Sequence, residues 1–118
     1  MDDATWSFTV DQDGLVIPEG PTGTDENVRL AFETLVIPFG TQAQIVEIFL
    51  REWRKIQQDT SGGFVLGTAA ATARAVGGDL VEIGDLYRQF ETCMLDRREF
   101  ELALVSLVDF LKHRNRER

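Results

Sequence analysis

The sequence predicts a mainly α-helical fold, a compact bundle of four to five helices with a short N-terminal β-hairpin. Apolar residues recur at three- and four-residue spacing in several segments, most clearly over 96–113, as they do on the buried face of a helix. Near the N-terminus apolar and polar residues alternate instead, which is typical of a half-buried strand. With 118 residues, of which 43% are hydrophobic, the chain has the length of a single domain, 1–118, with its own core.

A β-hairpin arm is predicted over residues 1–20. Trp6, Phe8 and Val10 alternate with polar residues, and a second apolar run follows a turn at 11–14. The turn contains aspartates and a glycine, the residue types that favour tight turns. An isolated two-stranded hairpin is marginally stable in water, so we expect its aromatic side chains to pack against the helices.

A helical core is predicted over residues 24–113. Pro38 disfavours helical geometry at the residue before it, and glycine-rich interruptions at 59–63 and 77–78 separate later segments. The predicted helical segments are 24–37, 41–58, 64–76, 85–94 and 96–113. Residues 80–83 are either a short extended piece or the start of the fourth helix.

The third of these helices, 64–76, contains five alanines. Small side chains let a neighbouring helix approach closely, so we expect this helix near the centre of the bundle. The last helix has the strongest pattern, since Asp96 and Glu99 have the spacing of a capping box. A basic tail, 114–118, follows it.

The formal net charge is −8, which argues against general binding to nucleic acids or to anionic membranes, because both require a basic surface. Acidic residues dominate the first 26 positions, opposite in sign to the C-terminal tail. We expect this acidic surface to suit a basic partner surface, in the manner of immunity proteins or nucleic-acid mimics.

The sequence offers no pattern of catalytic or ligand-binding residues. Cys93 and His113 are each the only residue of their type, so neither a disulfide framework nor a zinc-binding spacing is present. The glycines of 62–67 have the spacing of a phosphate loop but lack its lysine. We therefore expect a protein that is not an enzyme and has no cofactor and no metal. Without a secretory pattern or an apolar run long enough to span a membrane, the expected location is cytoplasmic.

One resemblance involves residues 80–83, 84–90 and 96–107, whose apolar spacing resembles the core of winged-helix domains, in which a short strand precedes two helices. It covers about a quarter of the chain and implies a small DNA-binding transcriptional regulator whose C-terminal half is a degenerate winged helix. The segment in the position of a recognition helix is acidic and apolar rather than basic, and no wing follows it.

The leading prediction is a non-enzymatic protein-interaction module: an adaptor, an assembly subunit or a stoichiometric inhibitor. The partner is another protein or a second copy of this chain, with a homodimer expected through the last helix or the helix that carries Trp53. The residues expected to contact the partner are Asp11, Asp13, Asp25, Glu26, Trp53, Tyr87, Arg97 and Arg98.

Overall fold

A computed structural model describes residues 6–57, 65–76 and 79–116. The described elements, in chain order, are β1 (Ser7–Val10), β2 (Val16–Glu19), α1 (Glu26–Val36), a 3-10 turn (Ile37–Phe39), α2 (Ala43–Gln57), β3 (Val65–Gly67), β4 (Ala71–Val76), β5 (Leu80–Asp85), β6 (Cys93–Asp96) and α3 (Arg97–Arg116). The predicted bundle of four to five helices is therefore wrong. Over the described residues the fold is α/β, with three α-helices and six antiparallel strands in two sheets.

The N-terminal hairpin is present where the sequence predicts it. β1 and β2 pair antiparallel, and Oδ1 of Asp11 accepts hydrogen bonds from the backbone N–H groups of Asp13 and Leu15, both at 2.9 Å. Trp6 and Phe8 are buried, and the Trp6 ring lies 4.9 Å from that of Phe32 on α1. The hairpin thus packs against the helices through its aromatic side chains, as expected.

The first two predicted helices are also present. α1 begins after Asp25, whose side chain accepts a hydrogen bond from the backbone N–H of Asn27 at 2.7 Å and so caps the helix. It ends in the 3-10 turn that contains Pro38, and Gly40 then takes a φ of 64° before α2.

The helices predicted over 64–76 and 85–94 are wrong. β3 and β4 occupy the first of these segments, whereas the second contains the end of β5, a loop and β6. The alternative of an extended piece at 80–83 is confirmed, because these residues belong to β5. The core predicted as helical over 24–113 therefore contains a complete sheet, and the helix that the winged-helix resemblance requires at 84–90 is absent.

The reason for the error is visible in β4. Ala71 and Ala73 point inward and are fully buried, whereas Thr72 and Arg74, which each follow one of them, point outward. This is the two-residue period of a strand. Alanine has the highest intrinsic helix propensity, but that preference is small per residue and is overridden here by pairing with the neighbouring strands.

The four later strands form an antiparallel sheet in the order β3-β4-β5-β6. The register pairs Ala73 with Ile83 and Leu80 with Asp96. One face of the sheet contacts α1 and α3. The fully or largely buried side chains on that face are Ala71, Ala73, Val81, Ile83 and Leu95.

The last predicted helix is confirmed as α3. Oδ2 of Asp96 accepts a hydrogen bond from the backbone N–H of Glu99 at 3.1 Å, which caps the helix at its predicted start. Phe100 is fully buried, and its ring lies 5.0 Å from that of Trp53 and 6.2 Å from that of Phe32. α3 therefore joins α1, α2 and the sheet in one core.

Parts of some predictions lie outside the described residues. These are 1–5 of the hairpin arm, the glycine-rich interruptions at 59–63 and 77–78, and positions 117–118 of the basic tail. The last residue of the predicted helix 41–58 and the first of the predicted helix 64–76 also lie outside them. The tail predicted at 114–118 begins inside α3, which extends to Arg116. Among the helices of the described ranges, none is long and apolar enough to cross a membrane.

Candidate functional site

The loop between β5 and β6, residues 86–92, is organised by the aspartate that precedes it, and we call it the Asp85 loop. Oδ1 of Asp85 accepts a hydrogen bond from the backbone N–H of Tyr87 at 2.8 Å. Oδ2 accepts one from the backbone N–H of Phe90, also at 2.8 Å. Between these two anchors Arg88 takes a φ of 58°, a conformation that residues other than glycine adopt infrequently. One carboxylate thus fixes the path of the loop.

The far end of the Asp85 loop is tied to the start of α1. The side chain of Asn27 donates from Nδ2 to the backbone oxygen of Glu91 at 2.8 Å and accepts at Oδ1 from the backbone N–H of the same residue at 2.9 Å. Phe90, the residue before, is buried in the core. The loop is therefore attached to the body of the protein at both ends.

What this loop exposes is apolar and aromatic. Tyr87 has 66% of its surface exposed, the highest value among the large hydrophobic side chains of the described residues, and Leu86 has 50% exposed. Tyrosine is among the side chains most enriched at binding hot spots. A loop that is already ordered loses less conformational entropy on binding than a mobile one.

The charge of Asp85 is coupled to the structure of the loop. Desolvation acts to raise the pKa of the Asp85 carboxyl, but hydrogen bonds from the backbone outweigh it and hold the pKa below its usual value. The donors are the backbone N–H groups of Phe90, Tyr87, Gln89 and Arg88.

This lowered pKa predicts how the Asp85 loop responds to acid. An aspartate in an unfolded chain titrates near pH ~3.9, so the stabilising effect of Asp85 is complete above that value and is lost as the pH falls through the lower pKa of the folded state. We expect the amide NMR signals of Tyr87 and Phe90 to stay constant between pH ~7 and ~5 and to shift only below pH ~3.9. Asp85→Asn, which cannot titrate, serves as the control. A midpoint above that of a free aspartate would contradict the assignment.

A second surface is the cleft where α2 meets the start of α3, with a cavity of about 750 Å³. Nε1 of the buried Trp53 donates to Oε2 of Glu101 at 3.0 Å, while Oε1 of Glu101 lies 3.9 Å from Nε of Arg54. The charged residues that line the cavity are Arg54, Arg97, Arg98, Asp79, Asp96 and Glu101. Three cations face three anions, so the cleft has no single sign of charge with which to select a ligand.

The residues predicted to contact a partner lie in separate parts of the structure. Tyr87 lies in the Asp85 loop, and the bond between Asn27 and Glu91 brings that loop to Asp25 and Glu26 at the start of α1. The arginine at position 29 donates hydrogen bonds to Glu26 and lowers the pKa of its carboxyl. That these residues contact a partner stays a prediction.

The remaining predicted residues lie elsewhere. Asp11 and Asp13 form the turn of the hairpin, where Asp11 acts as the hydrogen-bond acceptor described above. Trp53 is fully buried. Arg97 and Arg98 are at the start of α3, where Nη2 of Arg97 lies 3.2 Å from Oδ1 of Asp79. For these residues too, partner binding stays a prediction.

Asp85 and Asn27, the two side chains that hold the loop, are not among the residues predicted from the sequence. The signal for Asp85 was available, because aspartate favours turns in which its carboxylate accepts hydrogen bonds from the following backbone. The signal for Asn27 was not, since its partner Glu91 is 64 residues away.

Metal-binding clusters of three or more His, Cys, Asp or Glu side chains do not occur among the described residues. Burial, and secondarily the charge of Asp25, raises the pKa of the Cys93 thiol, which favours its protonated and less nucleophilic form. Comparisons of this chain with family models, with curated proteins and with solved structures found no match.

Proposed function

We propose that this protein is a non-enzymatic protein-interaction module that binds its partner through the Asp85 loop. The observation that carries the proposal is the position of Tyr87, which is two-thirds exposed on a backbone held by the Asp85 carboxylate. An exposed aromatic side chain on an ordered loop has the chemistry of an interface anchor, because it buries a large apolar area with little loss of conformational entropy.

The surroundings of Tyr87 indicate the kind of partner. Leu86 extends the apolar area, while Asp25, Glu26 and Glu91 lie near the base of the loop and are acidic. A partner that suits this surface has a small apolar pocket with basic residues at its rim. An adaptor, an assembly subunit and a stoichiometric inhibitor would all bind in this way. The proposed location is the cytoplasm, where a single cysteine, with no intrachain partner, stays reduced.

Site-specific photocrosslinking tests this proposal. We expect a photoreactive phenylalanine analogue at position 87 to form an adduct with one other protein in a lysate of the native cells. The same analogue in place of Leu15, which is exposed on the hairpin, is the matched control and should not form that adduct. Mass spectrometry of the adduct identifies the partner, which can then be purified for binding measurements.

The binding measurements distinguish a direct contact of Tyr87 with the partner from the effect of an ordered Asp85 loop. With the purified partner, Tyr87→Ala should weaken binding about 30-fold, the loss typical of a hot-spot residue. Asp85→Ala should also weaken binding, although it keeps the tyrosine, because the loop is then no longer fixed. Leu15→Ala should leave the affinity unchanged. Equal affinities for the Tyr87→Ala variant and the unmodified protein would overturn the proposal.

A further inference from the structure

We propose that two copies of this chain associate through the outward face of the four-stranded sheet. Among the described elements, α1 and α3 pack against the opposite face of the sheet. This proposal rests on a different surface from the Asp85 loop and is independent of the function proposed above.

The outward face carries apolar side chains where a solvated sheet has polar ones. On an antiparallel sheet with one face in water, the outward positions are normally polar. Here Val65 on β3 has 54% of its surface exposed, and Met94 on β6 has 47% exposed. The apolar side chains of this face are Val65, Val76, Leu80 and Met94, spread over all four strands.

The centre of the same face carries one ion pair. Arg74 on β4 is directly opposite Glu82 on β5, and Nη2 of Arg74 lies 2.7 Å from Oε1 of Glu82. The next row of the face, toward the Asp85 loop, is nearly flat. There Thr72 lies between Gly67 of β3 and Gly84 of β5. A Cβ at Gly84 would be only 2.9 Å from Oγ1 of Thr72.

The arrangement of charge favours a second copy of this chain as the occupant. In a two-fold dimer each surface contacts an identical surface, so it must be complementary to itself. The centre of this face, with one cation beside one anion, meets this condition, since Arg74 of one copy can lie over Glu82 of the other. A partner of uniform charge would be repelled by one member of the pair.

The area of the outward face determines how strongly we expect two copies to associate. Strands are spaced ~4.8 Å apart and rise ~3.3 Å per residue, so four strands of up to six residues cover roughly 400 Å² in projection. Two copies then bury about 800 Å², which is below the range of stable dimers. The net charge of −8 on each copy also opposes association. We therefore expect a weak dimer that forms as the concentration rises.

Sedimentation equilibrium of the full chain tests the proposal. The average mass should rise from 13.3 kDa toward twice that value as the protein is concentrated. Met94→Arg, which places a charge on the proposed interface, should weaken association about tenfold or more. Ile48→Arg on α2 is the matched control, because Ile48 is 46% exposed and lies on the helix rather than the sheet. It should leave the association unchanged.

A mixing experiment tests the ion pair itself. The Arg74→Glu chain presents two carboxylates at the centre of this face, and the Glu82→Arg chain presents two guanidinium groups there. Each alone should be monomeric. Mixed together, they should associate about as tightly as the unmodified chain, because each facing pair again consists of one cation and one anion. Circular dichroism of each variant verifies that the fold is retained.

Three results would contradict the proposed dimer. A mass of 13.3 kDa at every concentration up to the solubility limit would overturn the proposal. So would a dimer that persists in Met94→Arg and is lost in Ile48→Arg, which would place the interface on the helices. Mixed charge variants that stay monomeric would show that the ion pair does not face a second copy.

Discussion

Phe100→Ala is expected to lower the free energy of unfolding by about 3–5 kcal/mol, the range measured for truncating a buried phenylalanine. Phe100 is fully buried on α3, and its ring contacts those of Phe32 on α1 and Trp53 on α2. Removing it leaves a cavity where three helices meet, and it removes two edge-on aromatic contacts. Urea denaturation followed by circular dichroism measures the change.

Leu102→Ala is the matched control for this prediction. Leu102 is on the same helix, two residues away, but 53% of its surface is exposed. Its truncation should change the free energy of unfolding by about 0.5 kcal/mol or less. Similar losses for the two variants would mean that the buried face of α3 is not the one described.

Ala73→Asp is expected to lower the free energy of unfolding by about 3–5 kcal/mol, because it places an unpaired charge in the core. Ala73 is fully buried on β4, opposite Ile83 of β5. The total stability of a domain is about 5–15 kcal/mol, so this loss would leave a large unfolded fraction on mild heating. Thermal and urea denaturation both report it.

Thr72→Asp, one residue earlier, is the control that tests the strand assignment. Successive side chains of a strand point to opposite faces, so the aspartate would point outward from the sheet. We expect a loss of about 1 kcal/mol or less, the span of strand propensities. Comparable effects at 72 and 73 would argue against the alternation on which the sheet is based.

The elements that were predicted correctly from the sequence are those specified by local signals. The N-terminal hairpin combines alternation with the turn at Asp11, and α3 combines helical spacing with its cap at Asp96. In each of them the residues that define the pattern are close together in the chain. Such patterns predict an element without knowledge of what packs against it.

The sheet was missed because its signals conflict locally. In β4 the inward alanines favour a helix by propensity, and the outward Thr72, Arg74 and Val76 favour a strand by alternation. The conflict is resolved by pairing with β5, whose residues are further along the chain. The helix predicted over 85–94 is wrong for a related reason. Leu86 and Phe90 have helical spacing, but the Asp85 carboxylate accepts hydrogen bonds from the backbone that follows it and fixes a loop instead.

The candidate site could be predicted only in part. Tyr87 was expected to contact a partner, and the structure places it on the surface, but the contact itself stays a prediction. The outward face of the sheet was not foreseen, because a face exists only after its strands are paired. Val65 and Met94, which share that face, are 29 positions apart in the chain.

The junction between β6 and α3 contains no connecting loop. Asp96 is at once the last residue of the strand, paired with Leu80, and the cap of the helix. One inserted residue at this point would turn α3 by about 100°, since an α-helix has 3.6 residues per turn, and would move its apolar side chains out of the core. The loop between β2 and α1, residues 20–24, contains by contrast no buried side chain, so a change in its length would displace none from the core. In the divergence of this fold, insertions and deletions should accumulate in the loop, while the length of the junction stays constant.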